Sequence, residues 1–265
     1  MKKIILLLII AVVSVPSLSA QSYKLKREKP CWFDFQIAQH IGLNSWSDVS
    51  YISDGLPAAS ITEIRGAFNF YLANPIFGAY IDMGLGIMPA PNMRSFTPGK
   101  MPMPNSGTQY YLREMVSESG PNKASAHFKI DAGLFGDIKA TDRLNVMPYL
   151  GIGGITMSRR SFEMILKESG SNMQYNASYM WGRNVGQESY SDSEMLGYVN
   201  ARLNFRYKIS ARASLLFGLE YTYFFDTIDF YGKYSNTFNG NVQKSITVEG
   251  NNMNMLGLSI GLSFR

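Results

Sequence analysis

The sequence predicts an all-β protein: an eight-stranded antiparallel up-and-down transmembrane β-barrel with long extracellular loops and short periplasmic turns. Three observations support this fold class, namely segments of alternating apolar and polar residues, an even number of such segments, and connections that alternate between long and short. Alternation with a period of two gives a strand one apolar and one polar face. A membrane barrel turns the apolar faces to lipid, whereas a water-soluble sandwich buries them.

The first residues have the features of a secretory signal peptide. A basic start is followed by an apolar run from Ile4 to Val13, and the segment closes on the small residue Ala20. We predict that residues 1–20 are cleaved, that residues 21–31 form a periplasmic segment, and that residues 32–265 form the barrel. The apolar run is about half the roughly 20 residues that a membrane-spanning helix needs.

The rest of the chain has no apolar run long enough for a transmembrane helix. A membrane protein without such a helix must close its sheet, because an open edge would leave backbone groups unpaired in hydrocarbon. We therefore expect the bacterial outer membrane. Without Lys2 and Lys3 the chain has 23 basic and 20 acidic residues, a net charge of +3, which does not favour nucleic acid as a partner. Cys31 is the single cysteine, which excludes an internal disulfide.

Eight alternating segments follow along the mature chain. They lie at residues 32–43, 61–73, 76–88, 125–138, 144–157, 194–208, 212–225 and 252–264. The long connections are residues 44–60, 89–124, 158–193 and 226–251. The intervening connections are short. A barrel whose chain enters its first strand from the periplasm predicts this order of long loops and short turns.

The two faces of these segments differ in chemistry. We place the following residues outward, towards lipid: Phe33, Phe35, Ile37, Ile41, Ile64, Phe68, Phe70, Leu72, Phe77, Ile81, Met83, Leu85, Ile87, Phe128, Ile130, Leu134, Val146, Leu150, Ile152, Leu215, Phe217, Leu219, Tyr221 and Tyr223. The opposite faces carry the charges Glu63, Arg65, Asp82, Lys129, Asp131, Arg202, Arg206 and Glu220. An Arg or Lys facing lipid at mid-bilayer would cost about 2 to 4 kcal/mol, so we assign all eight to the lumen.

The segment Met147–Gly154 and the terminal strand Gly257–Phe264 resemble the small outer-membrane β-barrel family, the OmpA-like and "porin family" eight-stranded proteins. The first is similar to the Pro-Tyr-x-Gly-x-Gly strand of such barrels. One departure is Arg265 after the terminal aromatic residue, which the barrel-assembly machinery recognises in family members. No room follows for a peptidoglycan-binding domain, so a wall-anchoring role is not expected. The resemblance implies an architecture more than an activity.

Two functions stay open for the lumen. Eight strands enclose a space that side chains roughly fill, which favours a structural plug over a narrow porin-like channel. The hairpin turns place Arg202 roughly diagonal to Glu220 and Arg65 near Asp82, so we predict ion-paired networks there, because an unpaired buried charge is strongly destabilising.

Catalysis is not expected, although one candidate set exists. His127 lies two residues after Ser125 on the predicted lumenal face, and Glu63 could reach a similar depth, which would suit a lipid A-modifying hydrolase. However, Ser125 and His127 share one face of one strand, and no oxyanion site is visible. We interpret His40 as an interfacial hydrogen-bonding residue. The Met-rich segments lack His or Cys, so we expect no metal and no cofactor.

The long connections are rich in Tyr, Ser, Asn and Gly, the residue types of adaptable recognition surfaces. Solvated surface coil is an equally open interpretation of them. We therefore predict a structural or surface-interaction role, with a component of a secretion or assembly complex as a further alternative. The expected partners are outer-membrane lipid, the barrel-assembly machinery, and an extracellular ligand or envelope protein that contacts the loops.

Overall fold

The computed structural model describes residues 31–43, 60–72, 76–88, 109–115, 124–158, 160–182, 193–227, 229–248, 250 and 252–265. In chain order these contain β1 (Cys31–Gly42), β2 (Ser60–Tyr71), β3 (Phe77–Met88), β4 (Tyr110–Met115), β5 (Ser125–Gly136), β6 (Ile138–Lys139), β7 (Leu144–Ser158), β8 (Arg160–Glu168), β9 (Gln174–Gly182), β10 (Ser193–Lys208), β11 (Ala213–Thr227), β12 (Asp229–Asn236), β13 (Val242–Val248) and β14 (Asn252–Phe264). The predicted signal peptide lies outside these ranges. Within them, no helix is long and apolar enough to cross a membrane.

Eight long strands close into an antiparallel barrel. Their hydrogen-bonded order is β10-β11-β14-β1-β2-β3-β5-β7, and β7 pairs back onto β10. The two-residue strand β6 pairs with the start of β7. The predicted eight-stranded barrel is therefore confirmed, and the predicted segment ends differ from the observed strand ends by no more than two residues.

An apolar belt surrounds this barrel. On β3 the apolar residues Ile81, Met83 and Leu85 are exposed, and the intervening residues Asp82 and Gly84 are buried. Most of the residues that we placed outward are exposed in the same way. The half-buried exceptions are Phe70, Ile130, Val146, Leu215 and Tyr223. An exposed apolar belt around a closed barrel with a charged interior is the arrangement of barrels that span the bacterial outer membrane.

A second, five-stranded sheet stands beyond one end of the barrel. Its order is β13-β12-β9-β8-β4, and we call it the outer sheet. These strands adjoin β14, β11, β10, β7 and β5 in the chain, in the same order as the barrel. The strands β8, β12 and β13 thus continue β7, β11 and β14 past the end that carries the long connections, the loop end, and β9 and β4 pair with them in the same sheet. The opposite end, with the short connections, is the turn end.

The outer sheet corrects one interpretation of the long connections. Three of them contain paired strands, so solvated coil is wrong for β4, β8, β9, β12 and β13. The hairpins β8–β9 and β12–β13 turn at Gly170 and Gly240, which have φ angles of 81° and 68°. Positive φ is costly for residues with a Cβ atom, so glycine permits both tight turns.

Candidate functional site

Seven of the eight predicted lumenal charges lie together at mid-height inside the barrel. All are at most 3% exposed. This central cluster consists of Glu63, Arg65, Asp82, Lys129, Asp131, Arg202 and Glu220. The strands β2, β3, β5, β10 and β11 each contribute residues, so the cluster spans the lumen from wall to wall.

Glu220 forms ion pairs with three cationic side chains of the central cluster. Its Oε1 atom lies 2.8 Å from the Lys129 ammonium, and its Oε2 atom lies 3.3 Å from Arg202 Nε and accepts a hydrogen bond from Arg65 Nη1. Arg202 and Glu220 lie directly opposite each other on β10 and β11. The sequence predicted a diagonal arrangement of this pair. Three cations around one carboxylate keep the charge of Glu220 compensated in a water-poor interior.

Arg202 also holds two aspartates on the opposite side of the lumen. Its Nη1 atom lies 2.7 Å from Asp82 Oδ2, and its Nη2 atom lies 3.8 Å from Asp131 Oδ1. Asp82 and Asp131 face each other across β3 and β5. Arg65 lies at the 4.0 Å limit from Asp82, so the predicted proximity of this pair is present but weak. Arg202 therefore separates two carboxylates that would otherwise repel each other.

Glu63 forms the loop-end side of the cluster. Its Oε1 atom lies 3.0 Å from His40 Nε2, 3.5 Å from Lys129 Nζ and 3.6 Å from Arg65 Nη1. His40 is 3% exposed and faces the lumen, so its interpretation as an interfacial residue is wrong. The alternation along β1 predicts this position, because neighbouring residues of a strand face opposite sides. Ile37 and Ile41 face outward, so His40 faces the lumen.

Arg206 does not join the other seven charges. Its Nη2 atom lies 2.6 Å from Asp137 Oδ2, and its guanidinium stacks 4.9 Å from the centre of the Trp32 ring. Tyr71 donates a hydrogen bond to Asp137, and Arg265 Nη2 lies 3.6 Å from the same carboxylate. Sequence reasoning missed Asp137, although it directly follows β5 with the same parity as Asp131.

Aromatic side chains surround this pair and fill the turn end of the lumen. The buried group comprises Trp32, Tyr80, Phe135, Met147 and Tyr149, with Tyr71 packed against it. The Trp32 and Phe135 rings meet edge to face, with centroids 5.1 Å apart. We call this group, with Asp137, Arg206 and Arg265, the turn-end layer. It places bulky side chains between the central cluster and the short turns.

The candidate hydrolase residues are not assembled. Glu63 is bonded to His40 instead of His127, and neither ring nitrogen of His127 has a hydrogen-bond partner within the described part of the chain. The ring of His127 lies against Gly86 of β3, its cross-strand partner. The side chain of Ser125 lies outside the described atoms. Within the described ranges, no three His, Cys, Asp or Glu side chains are grouped to hold a metal ion.

The outer sheet has two chemically different faces. The buried residues on it are mainly apolar or aromatic: Tyr110, Met164, Leu166, Tyr175, Ala177 and Tyr234. The intervening positions Glu163, Asn176 and Lys233 are exposed. The exposed face of the outer sheet is polar, whereas the apolar belt of the barrel is not. The outer sheet is therefore suited to contact with water and not with lipid.

Comparisons with known proteins give fold likenesses only. No protein-family model matches the chain, and no curated protein matches its sequence. Solved structures that are similar include Neisserial surface protein A, NspA, at 14% identity over 89% of this chain and 97% of that chain, with a TM-score of 0.42. A major outer membrane protein from Thermus thermophilus has 10% identity over 89% and 98%, with a TM-score of 0.39. The Yersinia pestis attachment invasion locus protein, Ail, solved with the heparin analogue sucrose octasulfate, has 9% identity over 88% and 97%, with a TM-score of 0.35. At these values the likeness says nothing about role.

Proposed function

We propose that the protein is an integral barrel of the bacterial outer membrane with a filled lumen, and that its outer sheet is an extracellular recognition surface. The observation that carries this proposal is the continuation of β7, β11 and β14 beyond the apolar belt into a five-stranded sheet with a polar exposed face. In outer-membrane barrels, long connections lie outside the cell and short turns lie in the periplasm. The loop end is then extracellular.

The lumenal side chains support a structural role for the barrel itself. The central cluster crosses the lumen by ion pairs, and the turn-end layer fills the space below it with aromatic rings. Eight strands leave an interior that side chains roughly fill. This arrangement favours the plug over the narrow channel.

The tip of the outer sheet supports recognition. Phe238 is 73% exposed on the β12–β13 turn, and its backbone N–H donates a 2.8 Å hydrogen bond to Asn236 Oδ1. The Thr237 N–H donates a 3.1 Å bond to the Gln174 carbonyl oxygen, which ties this turn to the β8–β9 hairpin. Phe238 is thus a solvent-exposed aromatic residue on a turn that is fixed by hydrogen bonds. Aromatic residues are enriched among those that contribute most binding energy at protein interfaces.

The test removes the outer hairpins and keeps the barrel. Ser158 and Ser193 are cross-strand partners, as are Thr227 and Asn252, so a two-residue Asn-Gly turn can replace residues 159–192 and residues 228–251. Bacteria displaying the intact protein should adhere to at least one member of a panel of immobilised glycans and extracellular proteins, and bacteria displaying the shortened barrel should not.

The barrel must be intact for that comparison to be valid. A heat-dependent shift in gel mobility checks that both proteins are folded, and Phe238→Ala gives a milder variant with the hairpins in place. Equal adhesion of the intact, shortened and Phe238→Ala proteins would contradict the recognition role.

A further inference from the structure

The tip of the outer sheet consists of two hairpin turns that lie side by side. Strands β9 and β12 are neighbours, so the β8–β9 turn lies next to the β12–β13 turn. The N–H and the hydroxyl group of Thr237 each donate a 3.1 Å hydrogen bond to the Gln174 carbonyl oxygen. The Ser169 N–H donates a 2.8 Å bond to the carbonyl oxygen of Gln109, the residue before β4. We call residues 169–174 and 236–241 the tip surface.

Further hydrogen bonds fix the backbone of each turn. In the β12–β13 turn, the Gly240 N–H donates a 2.8 Å bond to the Asn236 carbonyl oxygen, and the Asn241 N–H donates a 2.9 Å bond to Asn239 Oδ1. In the β8–β9 turn, the Met173 N–H donates a 3.1 Å bond to Ser171 Oγ. A surface that is ordered before binding loses less conformational entropy when a ligand binds, so the tip surface is preorganised.

The tip surface is uncharged and rich in hydrogen-bonding side chains. None of its twelve residues is Asp, Glu, Lys, Arg or His. Five of them have amide side chains and three have hydroxyl side chains, and the amide residues Asn172, Asn239 and Asn241 are exposed. Amide groups both donate and accept hydrogen bonds, as sugar hydroxyl groups do. The tip surface therefore matches a neutral, polar ligand.

Three charged residues border the tip surface, namely Arg113, Lys167 and Glu168. The Ser171 hydroxyl donates a 2.6 Å hydrogen bond to Glu168 Oε2, and Arg113 Nη1 donates a 2.6 Å bond to Gln174 Oε1. Two basic residues and one acidic residue give this border a net charge of +1. An acidic polysaccharide or a nucleic acid is attracted by a concentration of basic residues, and the border has no such concentration.

Phe238 adds an exposed aromatic ring to the tip surface. It is 73% exposed and is flanked in the chain by Thr237 and Asn239. The face of an aromatic ring is electron-rich, so it attracts the weakly positive C–H groups on one face of a sugar ring. Hydroxyl groups at the edge of that sugar can then bond to neighbouring amide side chains.

An exposed aromatic ring alone does not distinguish a glycan from a protein, but the residues around Phe238 do. In the tip surface, all of whose residues the structure describes, Met173 is the only other exposed apolar residue, at 37%. A stable protein interface buries about 800 Å² on each partner around an apolar core. Two apolar side chains among amide and hydroxyl groups form no such core, but they are enough to contact one or two sugar rings.

We infer that the tip surface binds neutral oligosaccharides. Phe238 packs against the face of one sugar ring, and the amide groups of Asn172, Asn239 and Asn241 bond to sugar hydroxyl groups. This inference rests on the proposed recognition role of the outer sheet and names the class of ligand that the sheet takes. The contacts involve no charged side chain, so binding is insensitive to salt.

The test presents different glycans on one protein carrier. Serum albumin is coupled to neutral oligosaccharides of glucose, galactose, mannose, fucose and N-acetylglucosamine, and separately to sialyllactose and to a heparin fragment, with bare albumin as the reference. Binding to the full refolded chain in phosphatidylcholine nanodiscs is measured by biolayer interferometry. The intact protein should bind at least one neutral conjugate more tightly than either acidic one. Raising the ionic strength to about 1 M should change this affinity by less than about twofold.

Two substitutions of Phe238 separate packing on a sugar ring from ordinary apolar burial. Phe238→Leu keeps an apolar side chain without the flat ring, and should weaken binding at least about tenfold, as expected for an aromatic residue that dominates a binding site. Phe238→Tyr keeps the ring and should stay within about threefold of the intact protein. Asn172→Ala, on the other turn, should weaken binding about threefold, the effect of one lost hydrogen bond.

The matched control is Tyr111→Leu, which replaces an aromatic residue of β4 that is 48% exposed and lies outside the tip surface. It should leave binding unchanged. The heat-dependent shift in gel mobility checks that every variant is folded. Each substituted residue is exposed, so none of the variants removes a buried contact.

The outcomes separate this inference from the recognition role. Adhesion to an unglycosylated protein that is lost in the shortened barrel, without binding to any neutral conjugate, would overturn the inference and leave the recognition proposal intact. Tighter binding of an acidic conjugate, or equal effects of Phe238→Leu and Phe238→Tyr, would overturn the inference as well. No adhesion of the intact protein to any glycan or protein would contradict both proposals.

Discussion

Arg202 shows what holds the lumenal charges in place, because its guanidinium contacts carboxylates from three strands. It lies 2.7 Å from Asp82, 3.8 Å from Asp131 and 3.3 Å from Glu220. Its guanidinium carbon also lies 5.6 Å and 5.5 Å from the centres of the Tyr80 and Tyr149 rings. Removing Arg202 would leave three buried carboxylates with only the cations of Arg65 and Lys129 to compensate them.

We therefore expect Arg202→Ala to lower the free energy of unfolding by about 3 to 5 kcal/mol, the cost of leaving buried charges unpaired. Urea unfolding of the protein in lipid vesicles, followed by tryptophan fluorescence, measures this change. The matched control is Arg143→Ala, which removes an exposed arginine and should change the free energy by less than about 0.5 kcal/mol. Similar values for the two variants would show that the central cluster does not stabilise the barrel.

His127 is a buried lumenal residue whose ring nitrogens have no hydrogen-bond partner in the described part of the chain. We propose that it is not catalytic, because Glu63 is bonded to His40, Arg65 and Lys129 instead. His127→Ala should then leave the lipid A of producing cells unchanged, as measured by mass spectrometry of the extracted lipid. Lipid A that lacks an acyl chain in cells with the intact protein, but not in cells with His127→Ala, would restore the hydrolase hypothesis.

The parity of each strand predicts which side chains face the lumen, and it places the eight charges of the sequence analysis on the buried face. The alternation within a strand does not predict which lumenal side chains of different strands contact one another. Arg206 lies two lumenal positions closer to the turn end than Arg202, beyond Asn204. It pairs with Asp137, because closure of the barrel brings β5, β7 and β10 together at that height. Such pairings depend on strand register, which a single sequence does not determine.

At the scale of the strand, β3 shows why small residues line the lumen. A Cβ atom on Gly86 would lie 2.8 Å from the Thr62 carbonyl oxygen and would also collide with the His127 ring. A Cβ atom on Gly84, two residues away on the same face, would lie 3.5 Å from both Arg65 Cβ and Glu63 Oε2. Gly86 thus makes room for His127, whereas a Cβ atom on Gly84 would make only ordinary van der Waals contacts.

This difference predicts unequal effects of the same substitution. Gly86→Ala should lower the free energy of unfolding by about 1 to 3 kcal/mol, because the backbone of β2 cannot move away easily. Gly84→Ala should change it by less than about 1 kcal/mol. Urea unfolding in vesicles compares the two variants directly. A larger loss for Gly84→Ala would contradict the packing described for this face.

The strands of the outer sheet are not predicted by the sequence pattern. Their segments are rich in Tyr, Ser and Asn, which composition assigns to loops, and their apolar or aromatic residues alternate for at most four positions. One signal was available, since Asn239-Gly240 is a dipeptide typical of tight hairpins. The pairing of β8 with β9 and β12 in one sheet follows from the closed barrel beneath, which brings distant chain segments side by side.

For the whole molecule, the lumen is filled at three heights. The turn-end layer packs aromatic rings around Asp137 and Arg206, and the central cluster crosses the middle with ion pairs. At the loop end, most lumenal positions are buried apolar residues, among them Ile61, Ile155, Leu196 and Met253, and His40 and His127 lie beside them. Ions would have to pass an aromatic layer, a charged layer and an apolar layer in series, and each layer opposes passage for a different physical reason.

This layering predicts that the folded barrel is silent in a planar bilayer. Single-channel recordings at constant voltage should show no discrete openings, after the gel mobility shift has established that the inserted protein is folded. The shortened barrel without its outer hairpins should be silent as well, since the three layers lie within the eight long strands and not in the outer sheet. Discrete openings in the intact protein, with an ion selectivity altered by Arg202→Gln, would establish a path through the central cluster and a transport role. Openings only in the shortened barrel would instead place the seal in the outer sheet, above the apolar layer at the loop end.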